Sequence, residues 1–138
     1  MRKFAFLITL FFVGAVAFAQ EAQELTEPVD GPKLKFEKKS HDFGDITQGD
    51  VVEYTFNFTN TGNAPVILSD VRTTCGCTAP QWPKTPVAPG EKADIKVVFN
   101  SRGKVGVQNK IITIYSNSVD KVDRIKITTN VNLPEKEG

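Results

Sequence analysis

Cys75 and Cys77 are the residues whose type and spacing come closest to a chemical function in this chain. They are its only cysteines, and a single glycine, Gly76, separates them. In an extended strand, residues i and i+2 point to the same side, and their Cα atoms lie about 6.6 Å apart. That separation is at the upper limit for a disulfide, and glycine can adopt the bend that bridging would require. The sequence therefore predicts a disulfide or redox candidate at this pair.

Three interpretations of the pair are open from the sequence. In the first, the cysteines are two small apolar groups buried near one end of a β-sandwich, bridged or not. In the second, they form a labile redox pair, because a bridge across so short a loop adds little stability and is readily reduced. In the third, two thiolates bind a soft metal such as copper(I).

The metal interpretation lacks ligands within one chain. A closed zinc site needs four ligands, whereas this chain offers Cys75, Cys77 and one imidazole, His41. A second chain or a partner would have to complete the site, so we predict no metal and no cofactor. His41 has no serine or cysteine at a recognisable catalytic spacing, and we predict no catalytic residues.

Prolines recur at every third position after the cysteines, at Pro80, Pro83, Pro86 and Pro89. Because polyproline II has three residues per turn, these prolines would lie along one edge of an extended ribbon that includes Trp82. One interpretation is a rigid crossover between two sheets, with Trp82 covering one end of the core. The other is an exposed aromatic binding edge, with Trp82, Pro80, Pro83 and Pro86 as its binding-loop candidates.

Short strands with period-two patterning must position these residues. The clearest pattern has apolar residues at positions 52, 54, 56 and 58 and polar residues between them. Further strands are expected from position 34 and at residues 66–74, 92–100, 105–115 and 124–131, whereas residues 41–46 are expected to be irregular. In the strand at 66–74, Ile67 and Val71 are assigned to one face and Leu68 to the other. Six or seven such strands predict an all-β sandwich or barrel, and one buried face per strand favours the sandwich.

The N-terminus has the pattern of a secretory signal peptide. Arg2 and Lys3 precede an apolar run over residues 4–18, and a small-x-small cleavage site ends at Ala19. We predict a signal peptide at 1–19, a flexible linker at 20–32, a domain at 33–133 and a polar tail at 134–138. Removal of the signal peptide lowers the formal net charge from +1 to −1. A chain so close to neutral has no electrostatic field that would attract nucleic acid. We expect an exported protein without a membrane span after cleavage, in the periplasm, on the outer surface or in the medium.

Two longer stretches resemble a known family. The segment from Thr73 reads TTCGCTAPQWPKTPVAPGEK, and an upstream segment reads HDFGDITQGDVVEYTFNFTNTGNAPVIL. Together with the strand end at Tyr115, they resemble the bacterial secreted family called domain of unknown function 1573 over roughly residues 36–131. The resemblance implies an immunoglobulin-like β-sandwich of about seven antiparallel strands, similar to the pilus chaperones, major sperm protein and hydin repeats. It implies no activity.

The function expected from these observations is a non-enzymatic binding or scaffold module of the bacterial cell envelope. It would act by pairing at a sheet edge or through the loop at residues 78–89, and its partner would be another envelope protein or chain. The alternatives are a thiol-redox protein, the one enzymatic role considered, and a thiolate metal-binding protein, both of which use Cys75 and Cys77.

Overall fold

The computed structural model describes residues 29–137. The predicted signal peptide and residues 20–28 of the predicted linker lie outside this range. Asp30 and Gly31 already bond to the domain, through the side chain of Asn63. No helix in the described range is long and apolar enough to cross a membrane.

Within residues 29–137, eight strands form two four-stranded sheets that pack face to face. The strands are β1 Leu34–Phe36, β2 Ser40–Thr47, β3 Val51–Asn60, β4 Leu68–Thr73, β5 Thr78–Gln81, β6 Lys92–Asn100, β7 Gly106–Ser116 and β8 Val122–Asn132. Sheet A has the order β1-β3-β6-β5, and sheet B has the order β2-β8-β7-β4. All strand pairs are antiparallel except β2 and β8, which are parallel. The predicted all-β sandwich is confirmed.

The core lies between the sheets and follows the predicted alternation in most strands. Most inward residues of β6 and β8 are buried, as are Phe56 and Phe58 of β3, whereas Val52 and Tyr54 of β3 are half-buried. The largest fully buried side chains in sheet A are Phe56, Phe58, Ile95, Val97 and Phe99, and those in sheet B are Ile112, Ile114, Ile125, Ile127 and Val131.

Two bulges explain where the strand predictions at 41–46 and 66–74 fail. Residues 41–46 form most of β2 rather than an irregular segment, and the register slips between Asp42 and Asp45. In β4, Leu68 and Val71 are both buried, whereas Ile67 is 48% exposed. The register shift between Leu68 and Asp70 inserts one residue, which places positions three apart on the same face.

The proline-rich stretch also differs from the expected crossover between sheets. Its first residues form β5, which pairs with β6, so the stretch connects two neighbouring strands of the same sheet. The passage between sheets lies earlier, at residues 74–77, where β4 of sheet B leads into β5 of sheet A. The cysteine pair therefore forms the corner of the sandwich.

Asn60 connects three loops at one end of the sandwich and is fully buried. Its Oδ1 accepts hydrogen bonds from the backbone N–H groups of Lys33 and Gly62, at 3.3 Å and 3.0 Å. Its Nδ2 donates to the carbonyl oxygens of Ala64 and Val87, at 2.7 Å and 2.9 Å. A buried amide with all four groups bonded stabilises the loops because each partner would otherwise be left without a hydrogen bond.

We expect Asn60→Ala to lower the free energy of unfolding by about 3 kcal/mol, because it leaves several backbone groups unpaired. The matched control is Asn57→Ala, an exposed position of the same strand, which should change stability by less than about 0.5 kcal/mol. Urea unfolding of the three proteins measures both values. Equal midpoints for Asn60→Ala and the wild type would contradict this role.

Candidate functional site

Cys75 and Cys77 are joined by a disulfide, and their Cα atoms lie 5.4 Å apart. This distance is shorter than the separation of about 6.6 Å expected in an extended strand. The backbone bends between β4 and β5, with Gly76 in the turn. The bend at Gly76 that the sequence required for bridging is therefore present.

Hydrogen bonds that do not involve the sulfur atoms also hold this corner. The backbone N–H of Asn100 donates to the carbonyl oxygen of Cys77 at 2.9 Å. The hydroxyl of Thr73 lies 2.8 Å from the carbonyl oxygen of Cys75 and 3.3 Å from that of Thr78. Both cysteines are partly buried, and Cys77 packs against the core. The pair is thus neither fully enclosed nor fully exposed.

His41 belongs to an aromatic stack instead of a thiol cluster. Its ring stacks on Tyr54 with centroids 3.7 Å apart and meets the edge of Phe43 at 4.6 Å. Burial lowers its pKa, the positive charge of Lys38 lowers it further, and the carboxylate of Asp42 raises it. Among residues 29–137, no three His, Cys, Asp or Glu side chains are grouped as a metal site would require. In the disulfide form, neither sulfur is a thiolate ligand.

Trp82 follows β5 directly. It has features of both interpretations of the proline-rich stretch, the cover over the core and the aromatic binding edge. Its side chain is partly buried and packs against the core, which fits a cover over one end of the sandwich. The ammonium of Lys84 lies 2.9 Å from the centroid of its ring. Trp82 and Pro83 also line an open groove of about 340 Å³ on sheet A. Pro80 lies within β5 opposite Val97, and neither Pro80 nor the exposed Pro86 lines the groove.

Four groove residues were not among the sequence candidates: Thr55, Gln81, Asp94 and Lys96. They supply a hydroxyl, an amide and two opposite charges. The ammonium of Lys96 also lies 3.1 Å from the carboxylate of Glu53. The alternation in β3 and β6 could have marked Thr55, Asp94 and Lys96 as outward-facing. It could not have shown that β3, β6 and the residues after β5 meet at one groove.

The outer edge of β5 offers few free backbone donors for further strand pairing. Because Cys77 bonds to β6, alternation along the strand turns the backbone groups of Thr78 and Pro80 away from β6. The N–H of Thr78 donates to the carbonyl oxygen of Cys75 at 3.4 Å. The hydroxyl of Thr73 has one hydrogen, which it donates to the nearer carbonyl oxygen of Cys75 at 2.8 Å, while the carbonyl oxygen of Thr78 lies 3.3 Å away. Pro80 has no N–H to offer. This edge of sheet A is therefore poorly suited to pairing with a further strand.

Comparisons with known proteins first identify the class of fold. The ASH/PapD-like domain 7 of human CEP192 has a TM-score of 0.61 at 13% identity, with 88% of this chain and 100% of that domain covered. A protein of unknown function from Porphyromonas gingivalis W83 has a TM-score of 0.65 at 16% identity, with 79% of this chain and 51% of that chain covered. The secreted serine protease VesC from Vibrio cholerae has a TM-score of 0.56 at 19% identity, with 71% and 23% covered.

These identities are low enough that the likeness concerns the fold alone, an immunoglobulin-like and PapD-like β-sandwich. This chain spans about half of the Porphyromonas protein and less than a quarter of VesC. No curated protein matches it. Residues 34–131 match the family described as protein of unknown function DUF1573, and the chain belongs to that family. The predicted family and its immunoglobulin-like fold are confirmed.

The stacked position of His41 predicts a pH dependence of stability. Its lowered pKa means that the unfolded chain binds the proton more readily than the folded one. The contribution of His41 to the free energy of unfolding is therefore fully present above pH 6.5, the ordinary pKa of histidine. It declines as the pH falls below that value. We expect urea midpoints of the wild type to fall more steeply from pH 7.5 to pH 5 than those of His41→Gln. Parallel curves for the two proteins would contradict this assignment.

Proposed function

We propose that this domain is an exported, non-enzymatic binding module of the cell envelope. In this proposal, an extended segment of a partner protein binds the groove beside Trp82. The observation that carries the proposal is the composition of the groove, which combines an aromatic ring and a proline with an amide, a hydroxyl and two opposite charges.

This combination suits a polypeptide in an extended conformation. Trp82 and Pro83 give an apolar wall, and the amide of Gln81 both donates and accepts hydrogen bonds, as a peptide backbone does. Asp94 can pair with a basic side chain of the partner, whereas the ammonium of Lys96 already lies beside the carboxylate of Glu53. The volume of about 340 Å³ is at the small end of the range for ligand sites, so only a few residues of a partner would fit.

The groove lining also favours binding over catalysis. It contains one carboxylate and one ammonium but neither histidine nor cysteine nor serine. The lining therefore lacks the histidine-activated serine or cysteine on which the common covalent mechanisms rely. The alternative role as a thiol-redox protein concerns the disulfide corner at the opposite end of β5.

Export rests on the N-terminal sequence and on the chemistry of the cysteine pair. A charged n-region, an apolar run and a small-x-small site are the features that direct secretion. A disulfide in the folded domain is also consistent with an oxidising compartment, because cytosolic thiols are mostly kept reduced.

We expect the full-length chain, expressed in a Gram-negative bacterium, to be recovered outside the cytoplasm with Gln20 as its first residue. Intact-mass measurement of the protein released from the periplasm reports the cleavage position. Replacing Ala17 and Ala19 by bulky residues should block cleavage and leave the protein attached to the membrane. Recovery of the uncleaved wild-type chain from the cytoplasm would contradict export.

Site-specific photocrosslinking tests the groove. A photoreactive residue at Gln81, which is exposed, should give an adduct with an envelope protein. Asp94→Lys should reduce this adduct at least tenfold, because it reverses a charge in the groove. The control position is Asn109, which is exposed on a strand of sheet B. Equal adducts from both positions, or an adduct unaffected by Asp94→Lys, would argue against a partner in this groove.

A further inference from the structure

We propose that the Cys75–Cys77 disulfide is a reversible thiol–disulfide exchange site. In this proposal, a dithiol reduces the pair in the folded protein, and the hydroxyl of Thr78 stabilises the thiolate that is released. The inference concerns a chemical activity of the corner, and it holds whether or not a partner binds the groove.

The fold of the corner depends little on the disulfide. The bridge closes a loop of only three residues, so it restricts the unfolded chain far less than a bridge across a long loop. The hydrogen bonds from Asn100 to Cys77 and from Thr73 to Cys75 involve backbone carbonyl oxygens and not sulfur. Reduction therefore leaves these bonds in place, and the two thiols remain close enough to form the bridge again.

The two cysteines differ in their surroundings. Cys75 and Cys77 are each partly exposed, but only Cys77 packs against the core. An incoming thiolate consequently reaches the Sγ of Cys75 more easily, and Cys77 is the leaving group. The departing sulfur stays next to the buried hydroxyl of Thr78.

Thr78 is the residue that favours this step. It is 4% exposed, and its hydroxyl lies 3.8 Å from the Sγ of Cys75 and 4.0 Å from the Sγ of Cys77. Within residues 29–137, this hydroxyl has no other hydrogen-bond partner. A disulfide sulfur is a weak acceptor, whereas a thiolate accepts a charge-assisted hydrogen bond, so the buried hydroxyl is better satisfied when the pair is reduced.

The exchange balances in two steps. One thiolate of the external dithiol attacks the Sγ of Cys75, the Cys75–Cys77 bond breaks, and its electron pair leaves on the Sγ of Cys77, which takes up a proton. The second thiol of the dithiol, once deprotonated, then attacks the first sulfur of the same dithiol, which is bonded to Cys75 in the mixed disulfide. This attack releases Cys75, which also takes up a proton. Two electrons and two protons pass from the dithiol to the pair, and the dithiol leaves as a disulfide. The reverse steps form the Cys75–Cys77 bond again.

Reduction of the native protein by dithiothreitol tests the site directly. We expect two free thiols per chain to appear without denaturant and the circular dichroism of the sheets to persist. After removal of dithiothreitol, oxidised glutathione should restore the disulfide. Reduction that requires guanidinium, or that unfolds the domain, would overturn the proposal, and this measurement uses the wild type alone.

The role of Thr78 is tested with Thr78→Val, which keeps the shape of the side chain and removes the hydroxyl. The rate of reduction should fall about tenfold, the size expected for loss of one hydrogen bond to a charged sulfur. Alkylation of the reduced variant by iodoacetamide should require a higher pH than alkylation of the wild type. Thr74→Val, at an exposed position of the same corner, is the matched control and should change neither property. Equal rates and equal pH profiles for Thr78→Val and Thr74→Val would remove Thr78 from the proposal.

Discussion

The pairing of β3 with β6 is the interaction on which the rest of the structure depends. These strands run antiparallel through nine residue pairs at the centre of sheet A. Their inward side chains, among them Phe56, Ile95 and Phe99, fill the core, and burial of such residues is the main favourable term in folding. The same alternation directs Thr55, Asp94 and Lys96 outward. One strand pair thus supplies both the core and a wall of the groove.

The other edge of β6 determines where the candidate sites lie. Only four residues of β5 pair with it, because the disulfide corner precedes β5 and the proline-rich stretch follows it. Thr78 begins this short strand and contacts both sulfur atoms, while Trp82 follows its end and lines the groove. The groove and the disulfide are therefore separate features placed at the two ends of one edge strand.

The sequence predicted the features that depend on local alternation and failed where alternation is interrupted. The inward faces of β3, β6 and β8 follow directly from a period of two residues. The bulges in β2 and β4 each insert a residue. Gly44, with a φ of 71°, lies at the insertion in β2 and could have indicated it, whereas nothing in the local pattern around Leu68 marks the insertion in β4. β5 was missed because the three-residue spacing of the prolines indicated a polyproline II ribbon, although a proline is tolerated in an edge strand where its nitrogen faces away from the sheet.

The residues of the candidate site also divide into those predicted from local sequence and those that depend on the order of the strands. Cys75, Cys77 and Trp82 were found from residue type and spacing, and the bend at Gly76 followed from the geometry of a disulfide. Thr55, Asp94 and Lys96 belong to the groove only because β3 and β6 are neighbours, which is a property of strand order. The closeness of Thr78 to both sulfur atoms likewise depends on the turn between the sheets, since consecutive side chains of a strand point to opposite faces.

Stability alone gives a limited reason for a disulfide at this corner. The chain-entropy relation assigns a three-residue loop only about 1.6 kcal/mol, compared with about 3 kcal/mol for a loop of 15 residues. At the opposite end of the connection from β5 to β6, Asn60 holds its loops with four hydrogen bonds and no covalent link. The corner has two hydrogen bonds of this kind, from Thr73 to Cys75 and from Asn100 to Cys77. The proposed exchange requires that those bonds hold the path of the chain when the two sulfur atoms separate, because only then can the disulfide open and close without unfolding the domain.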